Sequence, residues 1–153
     1  MTARIDQFAT APDLMKSMLA MEETITASGL ERSLIELVKL RASQINHCAF
    51  CIHMHTQDAR ANGESDTRMH LLHAWQESTL FTPRERAALS WTECLTEVAS
   101  RGAPDSAYAT LAAQFDPREQ VAVTLLITTI NAWNRLAIGF AIPHPVGQEA
   151  ASA

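Results

Sequence analysis

Cys48 and Cys51 form a C-x-x-C pair, and His55 follows the second thiol by four residues, so two nucleophiles and a base fall in one short stretch. The segment around them, ELVKLRASQINHCAFCIHMH from Glu36 to His55, holds two of the three cysteines, three of the six histidines and one carboxylate. On a helix turning about 100° per residue, Cys51 lies roughly 60° and His55 roughly 20° around the axis from Cys48, one narrow stripe. Helical side chains lean toward the N-terminus, which carries the His55 imidazole back over the turn that holds Cys51. Glu36 cannot reach them along one continuous helix, because twelve residues at about 1.5 Å each leave it roughly 18 Å from Cys48. The chain must therefore reverse near Asn46 and His47, where Asn tolerates the left-handed conformation that ends helices. A new helix then starts at about Cys48, and its free N–H groups and dipole favour a thiolate.

Three chemistries fit this constellation. A dithiol can reduce a peroxide or exchange with another disulfide: a thiolate attacks oxygen, becomes a sulfenic acid, and the second thiol condenses with it. A neighbouring His supplies first base and then acid, and a carboxylate behind it fixes its tautomer. The same two Cys and His are also zinc ligands, with a fourth to come from His47, His53, His70, His73, Cys94 or water. Structural zinc sites usually bracket a loop with two separated ligand pairs, and this chain has no second Cys pair, which weighs against zinc. The third reading is structural: small buried thiols and a His satisfied by a backbone carbonyl.

The rest of the chain reads as scaffold. Its 153 residues suit one domain, 1–153, with a motif core at about 31–63 and a loosely ordered tail at 143–153. Ala, Leu, Glu, Met and Gln are plentiful and Gly is scarce, which favours an all-α fold. A formal charge of −5 argues against nucleic-acid or anionic-membrane partners. The start, MTARIDQFATAPDL, has no apolar segment of signal-peptide type, so the expected compartment is the cytoplasm, where a C-x-x-C is more often redox-active or metal-binding than a staple.

The pattern predicts a helix from Pro12 to Ser28 with Leu14, Met18, Met21 and Ile25 facing the core, stopped by Gly29. A second runs from about Glu31 to Ile45 with Leu34, Ile35, Val38, Ala42 and Ile45 in one arc and Leu37 and Leu40 on its flank. Glu36 falls opposite that arc beside Lys39 and Ser43, so periodicity alone makes it a surface carboxylate. The cysteine helix ends at Asn62-Gly63, and Ser65 caps a helix through Met69, Leu72 and Trp75 toward Ser78. Thr82-Pro83-Arg84-Glu85 and Asp116-Pro117-Arg118-Glu119 each offer an N-cap oxygen, a proline and an N3 glutamate. A short helix through Tyr108 and Leu111 lies between two long ones, and the last, Arg118 to about Phe140, reads as a buried central or subunit-interface helix, since polar residues interrupt it. Cys94, beside Trp91 and Leu95, reads as a small buried hydrophobe. His70 and His73, three apart on the fourth helix, could face a ligand together but read as surface or satisfied residues; His144 lies in the tail, and His53 points away from the thiol stripe. A Gly-rich phosphate loop, a nucleophile elbow and an HExxH motif are all missing from the sequence.

The spacing Glu36, eleven residues, Cys48, two residues, Cys51, three residues, His55 resembles the AhpD-like alkylhydroperoxidases of the carboxymuconolactone decarboxylase superfamily. The resemblance extends through LIELVKLRASQINHCAFCIHMHTQDARANGE, TPRERAALSWTECLTEVA and INAWNRLAIGF, most of the chain. It implies an all-α helical bundle assembling as trimers or hexamers, and reduction of organic hydroperoxides or hydrogen peroxide without metal or flavin. In that scheme Glu36 and His55 form a proton relay, Cys51 attacks the peroxide, and Cys48 resolves it and exchanges with an outside dithiol or disulfide-reductase donor. A thiol–disulfide adaptor for a peroxiredoxin, a redox sensor and a zinc-binding oligomeric module are the alternatives. One departure stands out: better-known members carry a histidine directly before the second cysteine, and Phe50 stands there, implying a less activated Cys48. The decarboxylase branch lacks the dithiol, so lactone decarboxylation is not implied.

Overall fold

The computed structural model describes residues 2–145. Every regular element among them is helical, as composition predicts: α1 (Gln7–Thr10), α2 (Pro12–Thr26), α3 (Arg32–Ile45), α4 (Ala49–Ala61), α5 (Asp66–Leu71), a 3-10 turn (Leu72–Ala74), α6 (Pro83–Thr96), α7 (Val98–Arg101), α8 (Asp105–Ala112) and α9 (Pro117–Gly139). Most of the expected loose tail, from residue 146 on, lies outside the described residues.

α3 is the central element and packs against α4, α6 and α9. It is covered on two sides because its sequence is apolar on two sides. Leu34, Ile35 and Val38 join Ala88, Trp91, Leu126 and Ile127 in one cluster, while Leu37 and Leu40 join Met69, Leu72, Trp75 and Leu89 in another. Each fully buried Leu, Ile or Val among them contributes about 1.5–3 kcal/mol. α6 and α9 start where the repeated phrase places them, with Thr82–Glu85 and Asp116–Glu119 closing reciprocal capping boxes. α9 has the length and composition of a membrane span, yet half of its apolar window is buried inside the fold, as expected of a central helix. Cys94 is a free buried thiol in the first cluster.

Two expectations need correction. α2 buries Met15 and Ile25, whereas Leu14 is 65% and Met21 42% exposed. The inward line of α2 instead includes Glu22, which pairs with Lys39 of α3 and accepts Trp133 Nε1 at 3.3 Å. A polar residue satisfied by distant partners thus takes a position that apolar periodicity assigns to neighbours. The helix expected from Ser65 to Ser78 keeps α-helical form only to Leu71, then tightens into the 3-10 turn. Arg86 Nη1 takes the carbonyls of Trp75 and Ser78 at 2.9 and 3.0 Å, and its Nη2 takes that of Gln76 at 3.0 Å. With these oxygens bonded elsewhere, Trp75 turns inward and donates Nε1–H to Glu93 at 2.8 Å.

Candidate active site

α3 and α4 are joined by a corner of three residues, Asn46, His47 and Cys48, and the corner sets the sulfurs. At the end of α3 the Cys48 N–H donates to Ser43 O at 3.0 Å and the His47 N–H to Gln44 O at 3.2 Å, a Schellman closure. The left-handed residue is His47, with φ 56°, and Asn46 stays right-handed at φ −79°. The sequence favoured Asn for that conformation, but its side chain is engaged elsewhere. Asn46 Nδ2 donates to Oδ1 of Asn131 at 3.0 Å and of Asn134 at 2.8 Å, both on α9, and Asn134 Nδ2 donates to Ser43 Oγ at 3.0 Å. The amide tethers the corner to α9, and the strained conformation passes to exposed His47 at a cost of about 1–2 kcal/mol.

Cys48 is the N-cap of α4, and its Sγ accepts the Cys51 N–H at 3.4 Å. The two cysteines are joined as a disulfide with Cα atoms 5.3 Å apart. Both are buried and pack with Ala137, Phe50 and Ile142, so Phe50 supplies an apolar wall where the resemblance has a histidine. One turn beyond Cys51, His55 is also buried, and its Nδ1 lies 3.2 Å from Glu36 Oε2. The Glu36 side chain is only 13% exposed, which overturns the surface position its own helix wheel assigns. α4 folds back over that side of α3, and Lys39 on the same side is buried in its pair with Glu22.

Sequence reasoning missed Asp58. It follows His55 by three residues on the same face of α4, a spacing visible in the sequence, and its Oδ2 lies 3.8 Å from His55 Nδ1. Ligand atoms of Glu36, His55 and Asp58 lie within 4.8 Å of one another, so this trio has the donors for a cation. The zinc set built on both cysteines does not assemble in this oxidised form, because their sulfurs are bonded to each other. His70 and His73 are exposed, and His53 stacks near His144 with ring centroids 5.7 Å apart, away from the thiols as expected.

A cleft of about 330 Å³ opens over Cys51 and His55. Phe8, Leu19, Met54 and Trp133 give it apolar walls, and the Lys39–Glu22 pair and Asp58 also border it. Phe8 comes from α1, an element not foreseen, although Asp6 is an ordinary N-cap that accepts the N–H groups of Phe8 and Ala9 at 3.0 Å each. The arrangement is competent for two-electron dithiol–disulfide chemistry, with an imidazole–carboxylate pair beside the sulfur that faces the cleft.

Known proteins share this fold. The profile of the Carboxymuconolactone decarboxylase family matches residues 12–93, a span that includes Glu36, Cys48, Cys51 and His55. The chain is 42% identical over 138 residues to the uncharacterised protein YdfG of Bacillus subtilis (strain 168), covering 90% of this chain and 94% of that one. It is similar, at 44% identity and TM-score 0.92, to the crystal structure of a protein of unknown function from Agrobacterium tumefaciens, suggested to be the antioxidant defence protein AhpD, covering 95% of this chain and 100% of that one. The debrominase Bmp8 shares the fold at TM-score 0.83 and 16% identity, covering 94% of this chain and 77% of that one. With its helical frame, its C-x-x-C pair and these relatives, the chain belongs to the carboxymuconolactone decarboxylase family, among its AhpD-like members.

Proposed function

We propose that the protein is a dithiol peroxidase of the cytoplasm that reduces organic hydroperoxides or hydrogen peroxide through a Cys48/Cys51 disulfide cycle. The observation that carries this reading is the sulfur pair at the start of α4, with Cys51 bordering the cleft beside a histidine paired with a half-buried carboxylate. In the cycle, His55 takes the proton of the Cys51 thiol, and the imidazolium is stabilised by Glu36. The Cys51 thiolate attacks the terminal peroxide oxygen; the O–O bond breaks, the alkoxide takes a proton from His55, and Cys51 becomes a sulfenic acid. Cys48 then gives up its thiol proton and attacks that sulfur, the S–O bond breaks, and the departing hydroxide takes that proton and leaves as water with the disulfide formed. A dithiol or a disulfide reductase restores both thiols, so two electrons enter for each peroxide consumed. Neither a metal nor a flavin is needed for any step. A homo-oligomer, a trimer or hexamer, accords with the apolar side chains that α2 and α9 leave exposed, among them Leu14, Met21 and Val121.

Peroxide consumption with a small dithiol as reductant tests the reading on wild type and on Cys48→Ser, Cys51→Ser and Cys94→Ser. Turnover should vanish in the first two variants and stay near wild type in the third. Equal loss in all three would reverse the assignment of the pair. A wild-type protein that forms the disulfide without turning over peroxide would be a sensor and not an enzyme.

A further inference from the structure

We propose that the external reductant attacks Sγ of Cys51, through the same cleft that admits the peroxide, and that Cys48 is the leaving group and meets neither co-substrate. This rests on the dithiol cycle above and reverses the exchange role that the resemblance implies for Cys48. Both sulfurs are covered, Cys48 at 1% exposure and Cys51 at 2%, so a route matters more than exposure. Cys51 borders the cleft and Cys48 does not. Cys48 lies in a buried cluster with Cys51 and Ala137, against which Phe50 and Ile142 pack, and its backbone is closed onto α3 by the bond to Ser43.

Leaving-group chemistry points the same way. Thiol–disulfide exchange is in-line: a bond forms between the incoming sulfur and Sγ of Cys51 while the Cys51–Cys48 bond breaks, and the electron pair departs on Cys48. Cys48 caps a 13-residue helix and already accepts the Cys51 N–H at 3.4 Å, so negative charge leaves toward backbone N–H groups and the positive end of α4. The proton of the incoming thiol goes to His55, which borders the same cleft. A monothiol would then be expelled again by Cys48, which remains beside the mixed disulfide. A dithiol escapes this: its second thiolate attacks its own bound sulfur, the bond to Cys51 breaks, and Cys51 leaves as thiolate. The dithiol loses two electrons and becomes a disulfide, and its two protons end on the protein.

The test uses the reduced full-length chain and the neutral aromatic disulfide 2,2′-dithiodipyridine, with the modified cysteine assigned by peptide mass so that Cys94 is scored separately. Cys51 in Cys48→Ser should be modified at least about tenfold faster than Cys48 in Cys51→Ser, as expected for a thiol that borders the cleft against one that does not. Equal rates, or faster modification of Cys48, would overturn the proposal. Should Cys51→Ser lose its helical circular dichroism, the wild-type pair decides through Met54→Trp, which narrows the cleft. Reduction of its disulfide by dithiothreitol should slow several-fold, and an unchanged reduction rate would overturn the proposal. Neither measurement uses a peroxide, so failure of the peroxidase reading would show in the turnover assay alone.

Discussion

Replacing Glu36 by Gln preserves the shape of the side chain and one hydrogen-bond acceptor but removes the charge that faces His55 Nδ1 at 3.2 Å. The step it should slow is the transfer of the Cys51 proton to the imidazole, because the imidazolium then loses its carboxylate. A charge-assisted hydrogen bond is worth about 1.5–3 kcal/mol net. At 13% exposure of Glu36 little of that is lost to solvent screening. A loss of about 2 kcal/mol corresponds to a roughly thirtyfold slower oxidation of the protein by peroxide. Asp58 faces the same nitrogen from 3.8 Å at 52% exposure. Asp58→Asn therefore removes an exposed pair worth about 0.5 kcal/mol and should slow oxidation roughly twofold. The assay is a single turnover: reduced protein is mixed with excess peroxide, quenched in acid at intervals, and its remaining thiols are counted. Raising the salt should erase the Asp58 effect and leave the Glu36 effect in place, since a partly buried pair is screened less than an exposed one. A Glu36→Gln protein with unchanged helical content and a rate within about threefold of wild type would refute the relay, and so would an Asp58→Asn effect larger than that of Glu36→Gln.

Two further predictions concern the scaffold. Burial by itself raises the Glu93 carboxyl, but hydrogen bonds from Trp75 and Arg41, the Arg41 charge and a bond from Arg101 outweigh it and hold the group below its ordinary 4.5. A lowered folded value means that the stability is present above about pH 4.5 and is lost as pH falls through the folded value. Glu93→Gln should remove about 3 kcal/mol, lowering Tm at neutral pH by roughly 6–9 °C, and should flatten the acid limb of the Tm–pH curve; wild-type and variant curves that run parallel would contradict this. His47→Gly relieves the left-handed strain at φ 56°. After subtracting the larger unfolded-state freedom of glycine, the gain is about 0.5–1 kcal/mol, a Tm rise of roughly 2 °C by thermal melt. A fall in Tm would mean that the His47 side chain stabilises the corner.

Local signals read well from the sequence because their physics is local. The starts of α6 and α9 each needed an oxygen, a proline and a glutamate within four residues, and the corner at Asn46-His47 followed from the impossibility of reaching Glu36 otherwise. Features that depend on distant partners did not read. Glu36 sits on the polar side of its own helix, and what buries it is α4, whose His55 comes from 19 residues away. Glu22 occupies an inward position on α2 because Lys39 and Trp133 satisfy it, and no periodicity in α2 carries that information. The break after Leu71 depends on which carbonyls Arg86 captures from the next helix. The cleft draws its walls from α1, α2, α4 and α9, so only the assembled fold defines it. Family resemblance supplied the Glu36–His55 pairing that the wheel denied, because it carries tertiary information that a single periodicity lacks.

Cys48 belongs to two helices at once. Its N–H closes the last turn of α3 on Ser43, and its carbonyl accepts the Ile52 N–H at 2.8 Å to open α4. The backbone is thus fixed from both sides, and Asn46 pins the same corner to α9 through Asn131 and Asn134. In the disulfide the Cα atoms lie 5.3 Å apart, within the range of about 4.4–6.8 Å for such bonds, and the backbone of Cys48 is held by hydrogen bonds that do not involve sulfur, while Cys51 lies within α4. In the proposed cycle, therefore, passage from thiols to sulfenic acid to disulfide requires rotation about side-chain bonds and no movement of a helix. Holding the resolving sulfur at bonding range converts the second step into an intramolecular one, which shortens the life of the sulfenic acid and protects it from a second peroxide. In that cycle the polar residues Ser43, Asn46 and Asn134 would act as positioning residues without touching a substrate. They hold the position of one sulfur, and the rate of closing the disulfide depends on that position.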